Sequence, residues 1–140
     1  MLNHAKAEYY TRQTTAPDLE IDEKRTLETV RQVALAAEDR KAEEITVLKV
    51  SEISYLADYF VIVTGFSTVQ VRAIYQAIAK QVEQDTQRVP LSIEGQREGT
   101  WILIDYGDVI VHIMLPEERE FYSLEAFWGH AERIDVLTLL

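Results

Sequence analysis

A chain of 140 residues is the length of one ordinary domain with a single core, and 47% hydrophobic residues with only five glycines and three prolines exclude a disordered tract as its main body. Twenty-four acidic against 14 basic residues give a formal net charge of -10, so nucleic acid meets net repulsion and a basic protein surface is the favoured partner, although charge of this sign also serves solubility. The absence of cysteine excludes disulfides, thiolate metal sites and cysteine nucleophiles.

Residues 1–20 mix polar side chains with Pro17 and show no sustained period, which predicts a mobile extension. The opening stretch has no apolar run of signal-peptide length, its acidic residues argue against an organellar transit peptide, and no segment is long and apolar enough for a membrane span. The expected location is the cytoplasm, and the domain is expected over residues 21–131.

From Asp22 to Glu43, Leu27, Val30, Ala34 and Ala37 recur at three- and four-residue spacings, which predicts an amphipathic helix with Arg25, Glu28, Gln32 and Asp39 on its wet side. "ITVLKV" (45–50) reads as a strand, and "YFVIVTG" (59–65), apolar on both faces, as a central one. The eight residues between them are too few for a crossover helix, so an antiparallel or irregular connection is expected. Ser67 and Gln70 then form an S-x-x-Q capping box, opening a helix with Val71, Ile74, Ala77, Ile78 and Val82 on its apolar face and an end before Pro90.

"LSIEG" (91–95) reads as a short strand. Residues 101–105 and 108–115 read as two strands joined through "DYGD", where Gly107 supplies the positive φ of a tight turn. Beyond Pro116, Phe121, Leu124, Trp128 and Ala131 recur at helical spacing, with Gly129 as a stop. Residues 132–140 are left as an apolar tail that packs on the domain or on a second copy. The order predicts an α+β fold, a single mixed β-sheet with helices packed on it.

The hairpin carries the residues that decide function. Strand-borne carboxylates are common ligands of catalytic metal ions, and the loop "TGFST" (64–68) has the glycine and capped helix of a phosphate cradle, so an enzyme using that loop with Asp105 and Asp108 is one alternative. Against it, a strand presents two carboxylates on one face at i and i+2, whereas Asp105 and Asp108 stand at i and i+3; in a tight turn they flank Gly107 and face water. The loop lacks the lysine and spacing of a P-loop. His112 among apolar neighbours suits a hydrogen-bonded buried imidazole, and His130 a helix end. No metal, cofactor or catalytic residue is expected. Trp101, Leu103 and Asp105 share one strand face; the pattern admits either core beneath a helix or an open anchor for a basic partner.

At these residues the sequence closely resembles the ribosomal silencing factor family, also called the Iojap family. The matching stretches are "DYFVIVTG" from Asp58, "STVQVRAI" from Ser67, "EG" at Glu94 and Gly95, "WILIDYGDVIVHIM" from Trp101 and "REFYSLEAFW" from Arg119, in order over roughly residues 25 to 128. The resemblance implies a nucleotidyltransferase-like fold without the catalytic carboxylates. It also implies binding to the fourteenth protein of the large ribosomal subunit, a block on joining of the small subunit, lowered translation under nutrient or energy limitation, a link to large-subunit assembly, and a homodimer of the free protein. Carried onto this chain, the partner surface falls on Trp101, Leu103, Asp105, Tyr106 and Asp108, with Glu94 beside them. Trp101 and Leu103 would bury apolar area, and the two aspartates would accept hydrogen bonds from the partner's Arg or Lys.

Overall fold

A computed structural model describes the backbone of residues 16–140 and the side chains from residue 22 onward. The expected mobile extension therefore lies outside the described residues up to residue 15. Residues 16–20 differ from that expectation, because the first helix, α1 (Ala16–Asp39), already includes them. Pro17 is compatible with this start, since the first turn of a helix has no use for its missing N–H.

After α1 come β1 (Glu43–Lys49), β2 (Tyr59–Thr64), α2 (Thr68–Thr86), β3 (Ser92–Glu94), β4 (Trp101–Asp105), β5 (Val109–Met114), two short helices α3 (Pro116–Tyr122) and α4 (Leu124–Phe127), and β6 (Glu132–Ile134). They build one six-stranded sheet in the order β3-β4-β5-β2-β1-β6. β2 and β5 are parallel, and the other neighbours are antiparallel. This is the expected α+β mixed sheet, with β2 inside it and buried along its whole length.

The helices α1 and α2 cover one face. Val30, Val33, Ala37, Val71, Ile74, Ile78 and Val82 meet Val61, Val63, Ile102, Ile104, Val111 and Ile113, all fully buried. β-branched residues dominate the strands and small or aliphatic ones the helices, as close helix-on-sheet packing requires. Gln32, expected on the wet side of α1, is instead only 6% exposed. It accepts a hydrogen bond from the Gln81 amide of α2 at 2.7 Å and donates to Glu28 at 2.6 Å, so the pairing of two helices takes a polar side chain out of water.

The capping box forms with a variation. Ser67 Oγ accepts the Gln70 N–H, while Gln70 Oε1 reaches past the cap to accept the Phe66 N–H, and its amide donates to the carbonyls of Arg40 and Lys41. One glutamine thus caps α2 and ties it to the end of α1.

Two expectations about the C-terminal segment are corrected. The helix anticipated through Phe121 and Trp128 is broken at Ser123, which adopts φ 48° and ends α3. The residues anticipated as a tail are part of the domain: Val47 pairs with Ile134, and Ile134, Val136 and Leu139 pack on the main core. A three-residue edge strand is too short to announce a period in sequence.

Candidate docking surface

The second face of the sheet carries Phe60, Ile62, Trp101, Leu103, Asp105, Ile110, His112 and Met114, because period-2 alternation turns them away from α1 and α2. Helices α3 and α4 cover only part of it. They are fastened by Arg119, which is 6% exposed and donates to Glu125 at 2.9 Å, to Thr64 Oγ1 at 2.9 Å and to Thr46 Oγ1 at 2.9 Å. A buried guanidinium with its donors engaged is a rigid fastening, and it sets where the neighbouring aromatic rings lie.

Those rings form a continuous series. Phe121 packs on Tyr122, Tyr122 on Trp101, Trp101 on His112, His112 on Phe60, Phe60 on Trp128 and Trp128 on Phe127, with centroid separations from 4.8 to 5.9 Å. Its middle is buried and its two ends are open, with Phe121 81% and Phe127 77% exposed. Trp101 and Leu103 are half-buried on this face, and Glu94, paired across the strands with Leu103, is exposed at its rim. The structure thus brings Glu94, Trp101 and Leu103 together and answers the alternative left open by the pattern: Trp101 sits at the border between core and solvent.

The indole N–H of Trp101 donates to Nδ1 of His112 at 3.1 Å. His112 is 5% exposed, and burial lowers its pKa from the usual 6.5 to about 4, so the ring is neutral at physiological pH. The loop before Trp101 is equally constrained. Gly95 has φ 86°, and a Cβ there would lie 1.9 Å from the Trp101 carbonyl oxygen, so the glycine of "EG" is needed by the backbone whatever the glutamate does.

The other end of the hairpin differs from expectation. Asp105 is buried, and its carboxylate accepts the Gly107 N–H at 2.7 Å, which shapes the turn. Asp108 is held by Arg88 at 2.7 and 3.1 Å and by the Thr26 hydroxyl at 2.6 Å, while its backbone carbonyl accepts the N–H groups of Asp58 and Tyr59. Arg88 also donates to the Tyr106 carbonyl and to Thr29. Neither aspartate mostly faces water, because Arg88, outside both the hairpin and any periodic pattern, reaches in to neutralise Asp108. Tyr106 is 2% exposed, and its buried hydroxyl has no hydrogen-bond partner among the described residues. Burial pushes the Tyr106 pKa up to about 12, with Arg88 opposing. Tyr106 is therefore core and not surface.

The alternative enzyme site is not assembled. Because β2 and β5 run parallel, Tyr59 lies beside Val109 and Thr64 beside Met114, so the 64–68 loop leaves the sheet at the end opposite to Asp108. Five residues of strand, roughly 16 Å, separate the two. Beside the Arg88–Asp108 pair is a cleft of about 630 Å³ lined in part by Asp22, Glu23, Lys49 and Asp58. Partial burial and then the carboxylates of Asp108 and Glu23 raise the Asp58 pKa, with Lys49 opposing.

Sequence reasoning missed His112 and Tyr122 as parts of the surface, and Arg119 as its fastening. The signal for His112 was available: it stands directly across from Leu103 and diagonal to Trp101 in the hairpin register.

Comparison with known proteins is consistent throughout. The family model described as ribosomal silencing factor during starvation matches residues 23–139. The ribosomal silencing factor RsfS of Bacillus subtilis is 42% identical over 103 residues, which is 74% of this chain and 86% of the relative. A mouse protein named mitochondrial assembly of ribosomal large subunit protein 1 is 36% identical over 62% of this chain and 39% of its own length. A crystal structure of a protein from Chromobacterium violaceum superposes with a TM-score of 0.70 at 34% identity, covering 73% of this chain and 84% of that one.

Proposed function

This chain belongs to the ribosomal silencing factor family, and from that premise we propose that it binds the large ribosomal subunit through the subunit's fourteenth protein and bars the small subunit from joining. Translation falls as a result when nutrients or energy run short, and no covalent chemistry is required. The site of action is the cytoplasm, the free protein is a homodimer, and the same contact serves large-subunit assembly, a process named in the mouse relative.

The observation that carries this reading is the half-open aromatic face around Trp101. Tryptophan is among the residues in which protein interfaces concentrate their energy, and here it lies within a packed aromatic patch with Glu94 at the rim. Trp101, Leu103 and Glu94 are assigned to contact with the partner. Asp105, Tyr106 and Asp108 hold the hairpin in shape behind them. The net charge of -10 favours encounter with a basic ribosomal protein.

Co-sedimentation with isolated large subunits, small subunits and joined ribosomes at two salt concentrations tests the reading. The expected result is binding to free large subunits, weakened by salt, with loss of subunit joining. Trp101→Ala is expected to weaken that binding by about 2 kcal/mol while remaining folded. Absence of binding to large subunits by the unaltered protein would sink the reading.

A further inference from the structure

We propose that His112 is a positioning residue for docking: it holds the Trp101 indole with its N–H turned inward, so that the surface presents ring faces to an arginine- or lysine-bearing segment of a basic protein. The inference rests on the functional reading above and adds the chemistry of what the surface accepts.

An indole N–H can only donate, so Nδ1 of His112, 3.1 Å away, must be the acceptor and carry no proton. The proton of the neutral ring is then on Nε2. That nitrogen is buried and has no hydrogen-bond partner among the described residues. A buried donor without an acceptor disfavours the folded state; a leucine of similar size removes that donor, and the indole N–H it deprives of an acceptor can turn to solvent at the half-open face. Stability of the fold alone therefore does not account for a histidine here. What the imidazole supplies in return is the orientation of Trp101.

That orientation has a consequence for recognition. With its N–H occupied, Trp101 offers a partner no hydrogen-bond donor. It packs against Tyr122, itself about half exposed, at 4.8 Å with the rings tilted by 49°, so the two rings lie together at the open border of the face. Glu94 stands at the rim, across the strands from Leu103. π faces with a carboxylate nearby select a cation on an apolar stem, with a guanidinium or ammonium over the rings and its charge met by Glu94. The net charge of -10 points to the same sign of partner.

Two variants and two readouts test this. His112→Gln keeps a neutral acceptor within reach of the indole; His112→Leu removes it at similar volume. Hydrogen exchange of the Trp101 indole N–H, its NMR signal identified by loss in Trp101→Phe, is expected to be slow in the parent and in His112→Gln, and fast in His112→Leu. Affinity for isolated large subunits is expected to fall about tenfold in His112→Leu and to stay within about threefold of the parent in His112→Gln. Denaturant midpoints should show His112→Leu at least as stable as the parent, so that binding and stability move apart as no purely structural role allows.

The inference is overturned by a His112→Leu protein that binds like a normally binding parent. It is overturned independently, with no variant needed, by a parent indole N–H that exchanges like a free one. A parent that binds no large subunit removes the functional reading and this inference together, and is thereby distinguished from the other two outcomes.

Discussion

At the turn end of the β4–β5 hairpin, Asp105 and Asp108 are consumed by the protein itself, one by the Gly107 N–H and the other by Arg88 and Thr26. At the open end, Trp101 and Leu103 are left half-covered although both are apolar, while Ile102 and Ile104 on the opposite face of the strand are fully buried. Polarity is thus a poor guide to exposure within one hairpin. A charged group goes inside when a counter-charge and hydroxyls are waiting for it, and an apolar ring stays at the border when the element covering it stops short. Here the covering element stops at Ser123, where the backbone turns left-handed between α3 and α4.

This contrast can be broken at either end. The largest effect is expected from Arg88→Ala, which leaves Asp108 partly buried without its partner. Urea denaturation should show a loss of about 3 kcal/mol, while the protein that remains folded keeps its affinity for large subunits. A matching fall in affinity would mean that the turn end touches the partner after all.

Acid acts next, through the other end. His112 titrates near its usual 6.5 when unfolded and at about 4 when folded, so the unfolded state takes up the proton first as pH falls. Above pH 6.5 both states are neutral and the ring adds no pH-dependent penalty; between there and about 4 the fold loses stability relative to the unfolded chain, by roughly 3 kcal/mol at most. Denaturation curves across that window should be less steeply pH-dependent in His112→Leu than in the parent. Equal slopes would show that the ring is not buried in its neutral form.

The smallest effect belongs to Tyr106→Phe. It deletes a buried hydroxyl with no partner, so the denaturation midpoint should hold or rise slightly, within about 1 kcal/mol, and large-subunit binding should not change. A clear loss of binding would return Tyr106 to the surface from which its burial removes it.

Much of the architecture was legible because it is periodic. The alternation of residues 101–105, the apolar run 59–64 and the capped helix from Ser67 each state their period over enough residues to be read. What escaped depends on pairs far apart in sequence. Gln32 looks like a solvated residue until Gln81 is placed opposite it, and Asp108 like a free carboxylate until Arg88 arrives from 20 residues upstream. Arg119 resembles any helical arginine, yet Thr46 and Thr64 draw it inside. The β6 segment offers three residues and no period, and only the vacant edge of β1 makes it a strand. For the docking surface, the sequence indicated the hairpin and the tryptophan on which the proposed contact rests. It misjudged which neighbours of that tryptophan are accessible, since exposure is settled by α3 and α4, whose break at Ser123 has no signal in spacing.

The parallel pairing of β2 with β5 joins Tyr59 to Val109, and β6 closes on β1 by joining Val47 to Ile134. Contacts of such range form slowly, because long loops of chain must be closed before any pairing rewards them. Helix α2 and the β4–β5 hairpin are local and can form early. Trp101, however, gains Tyr122, and its neighbour His112 gains Phe60 with Trp128 beyond it, only when the sheet is whole and the two short helices have followed β5. During synthesis the surface is therefore absent until the chain has emerged past Trp128, and a chain truncated before residue 119 carries the tryptophan without the face that gives it meaning.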